Sequence, residues 1–261
     1  MTLDELPIAN TARYSDSMAK SLVDKIFFVD KINATLLIDY GCADGTLLQA
    51  VAKLFPMQDM IGYDLSPEMI AKADEANSGI DFTDDWKNVK RSLVPVKKQG
   101  KKTALLLSSL IHEVYNYCNP TEIKEFWNRV WNSGFDYVII RDMMVSNSTS
   151  RPSDPISAAR VRQLTNPKHL AEWESQWGSL DDNWSLVHFL LTYRYQENWH
   201  REMRENYLPL SVEKFLNMIP KGYTPSFIEH YTLPFIRNSV AETYGVQLQD
   251  RTHLKLILTK S

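Results

Sequence analysis

The sequence predicts an α/β protein: a doubly wound sheet of seven strands, mostly parallel with the last antiparallel, and a helical insertion between strands five and six. Three observations predict it. Short apolar runs alternate with helical patterns through residues 35–145, which is how βαβ units read. At residues 146–222 the alternation stops, and helical patterns follow one another without a strand. Strand patterns return after residue 223, the last over His253–Thr259. A chain of 261 residues buries roughly 70–75% of its unfolded surface, so one enlarged domain needs no staples. Two cysteines exclude a disulfide scaffold and point to a reducing compartment. Twenty-nine basic against 32 acidic residues leave a net charge of −3, which gives no global attraction to nucleic acid or to an anionic membrane. Apolar runs such as Ala104–Leu107 are too short to span a bilayer, and the first residues lack a basic flank followed by an apolar stretch. A cytoplasmic protein is expected.

The elements follow in order. Residues 1–34 read as an N-terminal helical segment, because Met18, Leu22, Ile26 and Val29 recur at three or four from Ser15 onward. Strand one is Thr35–Tyr40, ending in a glycine-rich turn, with a helix over Thr46–Phe55. Strand two, Met60–Tyr63, ends at Asp64; a helix over Pro67–Ala76 has Ser66 as its cap and proline in its first turn. Strand three is Ile80–Phe82, strand four Thr103–Leu107 and strand five Asp136–Ile140, with a helix over Thr121–Trp131 capped by Thr121. Within the insertion one helix starts at Asn166-Pro167 and stops at Gly178, and a longer one runs from Asn183 to Asn206. Ser226–Phe235 and His253–Thr259 suggest an antiparallel hairpin closing the sheet edge. The working division is 1–34, a core of 35–145 with 223–261, and the insertion 146–222.

Between strand one and its helix lies Asp39-Tyr40-Gly41-Cys42-Ala43-Asp44-Gly45. Small residues at 41, 43 and 45 let the backbone turn tightly and approach a ligand, and the helix start presents amides to a negative group. Nineteen residues after Gly45, Asp64 ends strand two, where a carboxylate accepts both hydroxyls of a ribose. Taken with strands on both sides, DYGCADG and IGYDLSPEMI resemble the cofactor site of class I S-adenosylmethionine-dependent methyltransferases, a Rossmann-like family. Their acid-x-Gly-x-Gly-x-Gly pattern is matched at Asp39, Gly41 and Gly45, with Ala43 for the middle glycine. The resemblance implies S-adenosylmethionine as cofactor, held around Asp39, Gly41, Cys42, Ala43 and Gly45. It implies Asp64 as the ribose acid and Leu65 and Met69 as apolar residues beside the adenine. It also puts Asp84, Asp85 and Trp86 where an acid meets the adenine amino group, without choosing between Asp84 and Asp85. The GxAxG spacing, unlike GxGxxG, argues against a dinucleotide oxidoreductase. The resemblance covers 35–145 well and 223–261 loosely.

Ligands of such sheets bind outside the carboxyl ends of the strands. The residues after strand four, SSLIHEVY, therefore face the reacting centre: Ser108, Ser109, His112, Glu113 and Tyr115. They resemble the Ser-x-x-x-His loop of small-molecule methyltransferases, which implies His112 beside the transferred methyl. Histidine, with a pKa near 6.5, removes a proton at neutral pH, so His112 is the candidate general base with Glu113 orienting it; otherwise His112 packs or caps the next helix. The Asp/Asn-Pro-Pro-aromatic motif of adenine-N6 enzymes and the Pro-Cys nucleophile of cytosine-C5 enzymes are absent. No HExxH occurs and the cysteines lie 76 apart, so no metal site is expected.

The insertion carries nine basic and nine acidic residues and four of the seven tryptophans. Its aromatics read either as its own core or as a lid, with Tyr193, Arg194, Trp199, His200 or Arg201 reaching the substrate; Arg141 at the end of strand five and Tyr115 join the candidate substrate residues. Residues 87–102 hold seven cations and no acid, leaving −10 on the rest of the chain, and read as a basic loop: solvated surface, or an anchor for phosphates or RNA. The expected function is transfer of a methyl group to an oxygen or nitrogen of a small-molecule acceptor, ahead of RNA. The alternatives are an RNA-modifying enzyme anchored by residues 87–102, and a non-catalytic cofactor-binding partner protein.

Overall fold

A computed structural model describes residues 21–55, 58–77 and 79–261. The start of the expected N-terminal helix, including Met18, lies outside the described residues. Within them, Leu22–Lys25 (α1) makes one helical turn, after which the chain bends through Phe28, fully buried, toward the sheet.

The strands are Leu36–Tyr40 (β1), Asp59–Tyr63 (β2), Asp81–Thr83 (β3), Thr103–Ser108 (β4), Tyr137–Met143 (β5), Tyr223–Tyr231 (β6) and His253–Lys260 (β7). They form one sheet in the order β3-β2-β1-β4-β5-β7-β6. The first five pair in parallel, and β7 runs antiparallel to both β5 and β6. β1 is buried along its whole length, as a central parallel strand covered on both faces must be. The chain winds outward from β1 to β3 and returns to β4, so the switch point lies between β1 and β4 and opens a crevice at their carboxyl ends.

One face of the sheet packs against Trp86–Lys98 (α4), Pro120–Asn132 (α6) and Val212–Met218 (α11). The other carries Phe28, Thr46–Leu54 (α2) and Pro67–Ala76 (α3). The segment between β5 and β6 holds Pro155–Leu164 (α7), Pro167–Trp177 (α8), Asn183–Thr192 (α9) and Trp199–Glu202 (α10). Its core, around Trp173, Phe189 and Trp199, is shared with Pro234–Tyr244 (α12), which follows β6.

Several expectations need correction. Residues 87–102 are mostly helix, not loop. Asp85 caps α4 by accepting from the Lys87 amide (2.8 Å), and Trp86, Val89 and Leu93 recur at helical spacing to form its buried face. The dense cations hid that apolar stripe. The stretch after β4 is likewise a helix, Ile111–Tyr117 (α5). Asn119, not Thr121, caps α6, in a capping box with Glu122. The long helix from Asn183 breaks after Thr192 into a 3₁₀ stretch in which Tyr195 leaves helical geometry. β6 stops at Tyr231 because Pro234 opens α12. The last two strands pair, but residues 232–252 separate them and β7 lies inside β6, so they are no hairpin.

Candidate functional site

The turn after β1 is built on positive φ angles: Gly41 at 85°, Ala43 at 46° and Gly45 at 75°. The Gly41 and Cys42 amides both donate to the Tyr63 carbonyl (2.7 and 3.1 Å), which fastens the turn to the end of β2. A Cβ on Gly45 would sit 2.7 Å from the Phe82 ring and 2.8 Å from Asn77 Nδ2. Asn77 in turn donates to the carbonyls of Asp44 (3.2 Å) and Ala73 (2.9 Å), so the end of α3 buttresses the turn. Gly62, which sequence reading passed over, leaves room for the Phe82 ring and the Cys42 sulfur. Cys42 is buried beneath the turn, and burial pushes its thiol pKa upward, so it is an inert packing group.

Asp64 is held before any ligand arrives. One oxygen accepts from the Ala43 amide and the other from the Ser66 amide, both at 2.9 Å. Each oxygen keeps a lone pair for a further donor. Leu65 is 60% exposed at the rim, and Met69 is half-buried. Of the acids after β3, Asp85 is consumed as the cap of α4, whereas Asp84 is exposed and makes no hydrogen bond among the described residues. Trp86 lies underneath, its ring about 5 Å from those of Tyr40 and Tyr63.

On the α1 side, sequence reading missed Asp24 and Lys25. Asp24 ties together Arg141 Nε (2.8 Å), Lys255 Nζ (2.7 Å) and the Tyr231 hydroxyl (2.6 Å), drawing α1 onto β5, β6 and β7. Lys25 is buried near Asp39. Burial and then Arg141 push its pKa down to about 8, against the pull of Asp39, Asp142 and Glu113. Burial pushes Asp39 up to about 7, opposed by Lys25. Arg141 Nη1 donates to Ser109 Oγ (3.0 Å), but its Nη2 is buried without a partner, as is Ser108 Oγ. Ser109 itself takes a left-handed φ of 57°, a strained conformation at the end of β4.

Asp142 was also missed, because it looks like one more residue of a strand. It is fully buried; one oxygen accepts from the Ile111 amide (2.6 Å), and the other from the Met143 amide (2.7 Å) and faces His112 Nδ1 at 2.6 Å. Burial lowers the His112 pKa, but Asp142, with Glu113 and Glu205, outweighs it and raises the value to about 9. Nε2 has no hydrogen-bond partner among the described residues. Beyond it the ring of Tyr207 stands edge-on at 5.8 Å.

Around this histidine lie Glu113, Glu202 and Glu205. Glu205 pairs with Tyr117 Oη (2.5 Å) and Arg201 (3.1 Å), and Glu202 with Tyr207 and Arg201. Glu113 makes no hydrogen bond among the described residues, and burial raises its pKa to about 7. The remaining sequence candidates lie elsewhere. Tyr193 and Trp199 sit in the core of the insertion, their polar atoms meeting the Asn166 amide and Glu172. His200 is exposed, and Tyr115 points to Trp127 and Met218. Among the described residues no three His, Cys, Asp or Glu side chains converge on a metal position. No helix of the described residues is long and apolar enough to cross a membrane.

Residues 33–92, which contain β1, the turn, Asp64 and β3, match the family model described as a methyltransferase domain. Residues 33–92 are thus part of a methyltransferase domain. No curated protein sequence matches the methyltransferase. Among solved structures it is similar to the plantazolicin methyltransferase BpumL in complex with SAH. The identity is 14%, 96% of this chain and 88% of that one are covered, and the TM-score of 0.51 shows a shared fold. The methyltransferase domain of bacterial CtHen1-C (15% identity, 93% and 97% covered, TM-score 0.49) is also similar. So is an S-adenosylmethionine-dependent methyltransferase from Anabaena variabilis (12%, 98% and 96%, TM-score 0.48).

Proposed function

We propose that the protein transfers a methyl group from S-adenosylmethionine to a nitrogen or oxygen of a small-molecule acceptor, and that His112, held by Asp142, takes the acceptor's proton. The observation that carries this reading is the dyad: Nδ1 locked on a fully buried carboxylate, Nε2 unpartnered at the carboxyl end of β4. A carboxylate in that place fixes the tautomer and ring orientation and stabilises the imidazolium that forms. The insertion acts as the lid that encloses the acceptor.

The residues present fit the cofactor. The positive φ angles at Gly41 and Gly45 fold the turn tightly against Leu110, Phe82 and Asn77, and the lone pairs left on Asp64 suit the two ribose hydroxyls. Asp84, unlike Asp85, is free for the adenine amino group. The buried orphan atoms Ser108 Oγ and Arg141 Nη2, with Lys25 and Asp39 alongside, suit the charged methionine end. Bound there, the cofactor supplies a methyl group on a positively charged sulfur, open to in-line attack. The chain's own task is then alignment, exclusion of water and removal of one proton.

The test is calorimetric titration with S-adenosylhomocysteine, with Asp64→Ala alongside. Binding in the wild type, weakened in the variant, supports the cofactor reading; a wild type that does not bind defeats it. The RNA-anchor alternative has fewer free cations than the seven counted over residues 87–102. Lys97 already donates to the Ser133 carbonyl, and Lys102 to the Tyr137 hydroxyl.

A further inference from the structure

The acidic recess beside His112 carries more negative charge than the fold itself uses. Four carboxylates, Asp142, Glu113, Glu202 and Glu205, stand against His112 and Arg201. Asp142 is answered by His112 and two amides. Glu202 and Glu205 share Arg201, and each receives a tyrosine hydroxyl. Glu113 receives nothing. It is faced by His112 of its own helix, Asp142 of β5, and Arg201 and Glu205 of the insertion; Lys25 of α1 senses it too but stands beside Asp39 and Asp142.

A second observation is independent of the acids. His112 is 6% exposed, and Asp142 fixes its Nδ1 from the sheet side. Nε2 is therefore turned toward the insertion, unpartnered, where Tyr207 stands edge-on and Glu113 and Glu205 lie within electrostatic reach. A ring nitrogen and a carboxylate within electrostatic reach of each other, both without a hydrogen-bond partner among the described residues, leave a place for a polar ligand that can bond to both. The carboxylates do not converge as metal ligands do.

We propose that the acceptor is a cationic nitrogen compound, an amine or guanidine, whose nitrogen sits between Glu113 and His112 Nε2. This deepens the methyltransferase reading and rests on it. An ammonium acceptor gives one proton to neutral His112 Nε2. The freed lone pair then forms the nitrogen–carbon bond as the carbon–sulfur bond breaks, its electrons staying on sulfur. The product is the methylated ammonium, and the proton remains on His112. Glu113 touches the acceptor nitrogen and selects for its charge.

The test uses the full chain saturated with S-adenosylhomocysteine and probes matched in body: phenethylammonium, phenethylguanidinium, phenethyl alcohol and 3-phenylpropionate. At least one cation is expected to bind about tenfold or more tightly than the alcohol, with the carboxylate weakest, the margin one charge-assisted hydrogen bond supplies. Glu113→Gln is expected to erase that margin while leaving S-adenosylhomocysteine affinity unchanged. Two outcomes overturn the inference: both cations binding no better than the alcohol, or not at all, to a chain that binds S-adenosylhomocysteine; or a preference that survives Glu113→Gln. If S-adenosylhomocysteine itself does not bind, the methyltransferase reading fails instead. A second assay follows label from S-adenosylmethionine into pooled amines and pooled alcohols, and transfer to alcohols alone also overturns the inference.

Discussion

The two halves of the crevice are made of different material. The half proposed for the cofactor, from Asp39 to Asp64, is chiefly backbone: amides of Gly41, Cys42, Ala43 and Ser66 directed at one carbonyl and one carboxylate. The half proposed for the acceptor is made of buried and half-buried ionisable side chains, where Asp142, His112, Glu113, Glu202 and Glu205 set one another's charge. A backbone site depends on φ angles and on the absence of Cβ atoms, so it tolerates almost no change of shape. A side-chain site depends on a balance of burial against neighbouring charge, so a single neutral substitution retunes it without moving an atom far.

Substitutions in the two halves are therefore expected to separate cleanly. The largest effect belongs to His112→Ala, which is expected to lower kcat by about 10²–10⁴-fold, the usual share of a general base, with S-adenosylhomocysteine affinity unchanged by calorimetry. An unaltered kcat removes His112 from the chemistry. Asp64→Ala is next: affinity for S-adenosylhomocysteine is expected to fall by ~10²-fold or more, from two lost charge-assisted hydrogen bonds.

The pH profile sharpens the contrast. With the His112 pKa raised to about 9, the neutral base is scarce at pH 7, so kcat is expected to climb with pH and level off near 9. In Asp142→Asn burial prevails over the lost carboxylate, and the rising limb moves to lower pH while the plateau drops. Stability carries the matching sign. The His112–Asp142 pairing stabilises the fold fully below the unfolded pKa near 6.5 and is lost as pH rises through about 9, so the Tm gap between wild type and His112→Gln should close over that window.

Asp24→Ala is expected to cost about 2–4 kcal/mol, because Arg141 and Lys255 lose a buried partner, seen as a lower Tm. The smallest effect is expected from replacing Lys97, Lys98, Lys101 and Lys102 with glutamine, at or below about 1 kcal/mol for exposed charges, with methyl transfer to a small acceptor unaltered. Salt-steep RNA binding that vanishes in that variant would reinstate the RNA reading.

The same division governs what could be read from the chain. The glycine turn, Asp64 and the Ser66 cap are local: residues adjacent in sequence form them, so their spacing announces them. Asp142, Lys25 and Glu205 acquire meaning only when β5, α1 and the insertion are brought to His112, and nothing in their neighbours signals it. The helix α4 shows a third case, in which an apolar stripe of Trp86, Val89 and Leu93 was present but outshouted by charge. Asp85 shows a fourth, since an acid at a strand end serves a cap as readily as a ligand.

The placement of β7 bears on how the molecule is made. It is inserted between β5 and β6, and its Lys255 holds Asp24. The ribosome delivers this strand after everything it must join. Until it arrives, β5 has an open edge, and the clasp joining Asp24 to Arg141 and Tyr231 lacks Lys255. The nascent chain thus emerges with its cofactor turn already encoded by short-range contacts, while its reactive side waits on pairings of the longest sequence separation. A chain stalled before residue 253 is left with the β5 edge unpaired.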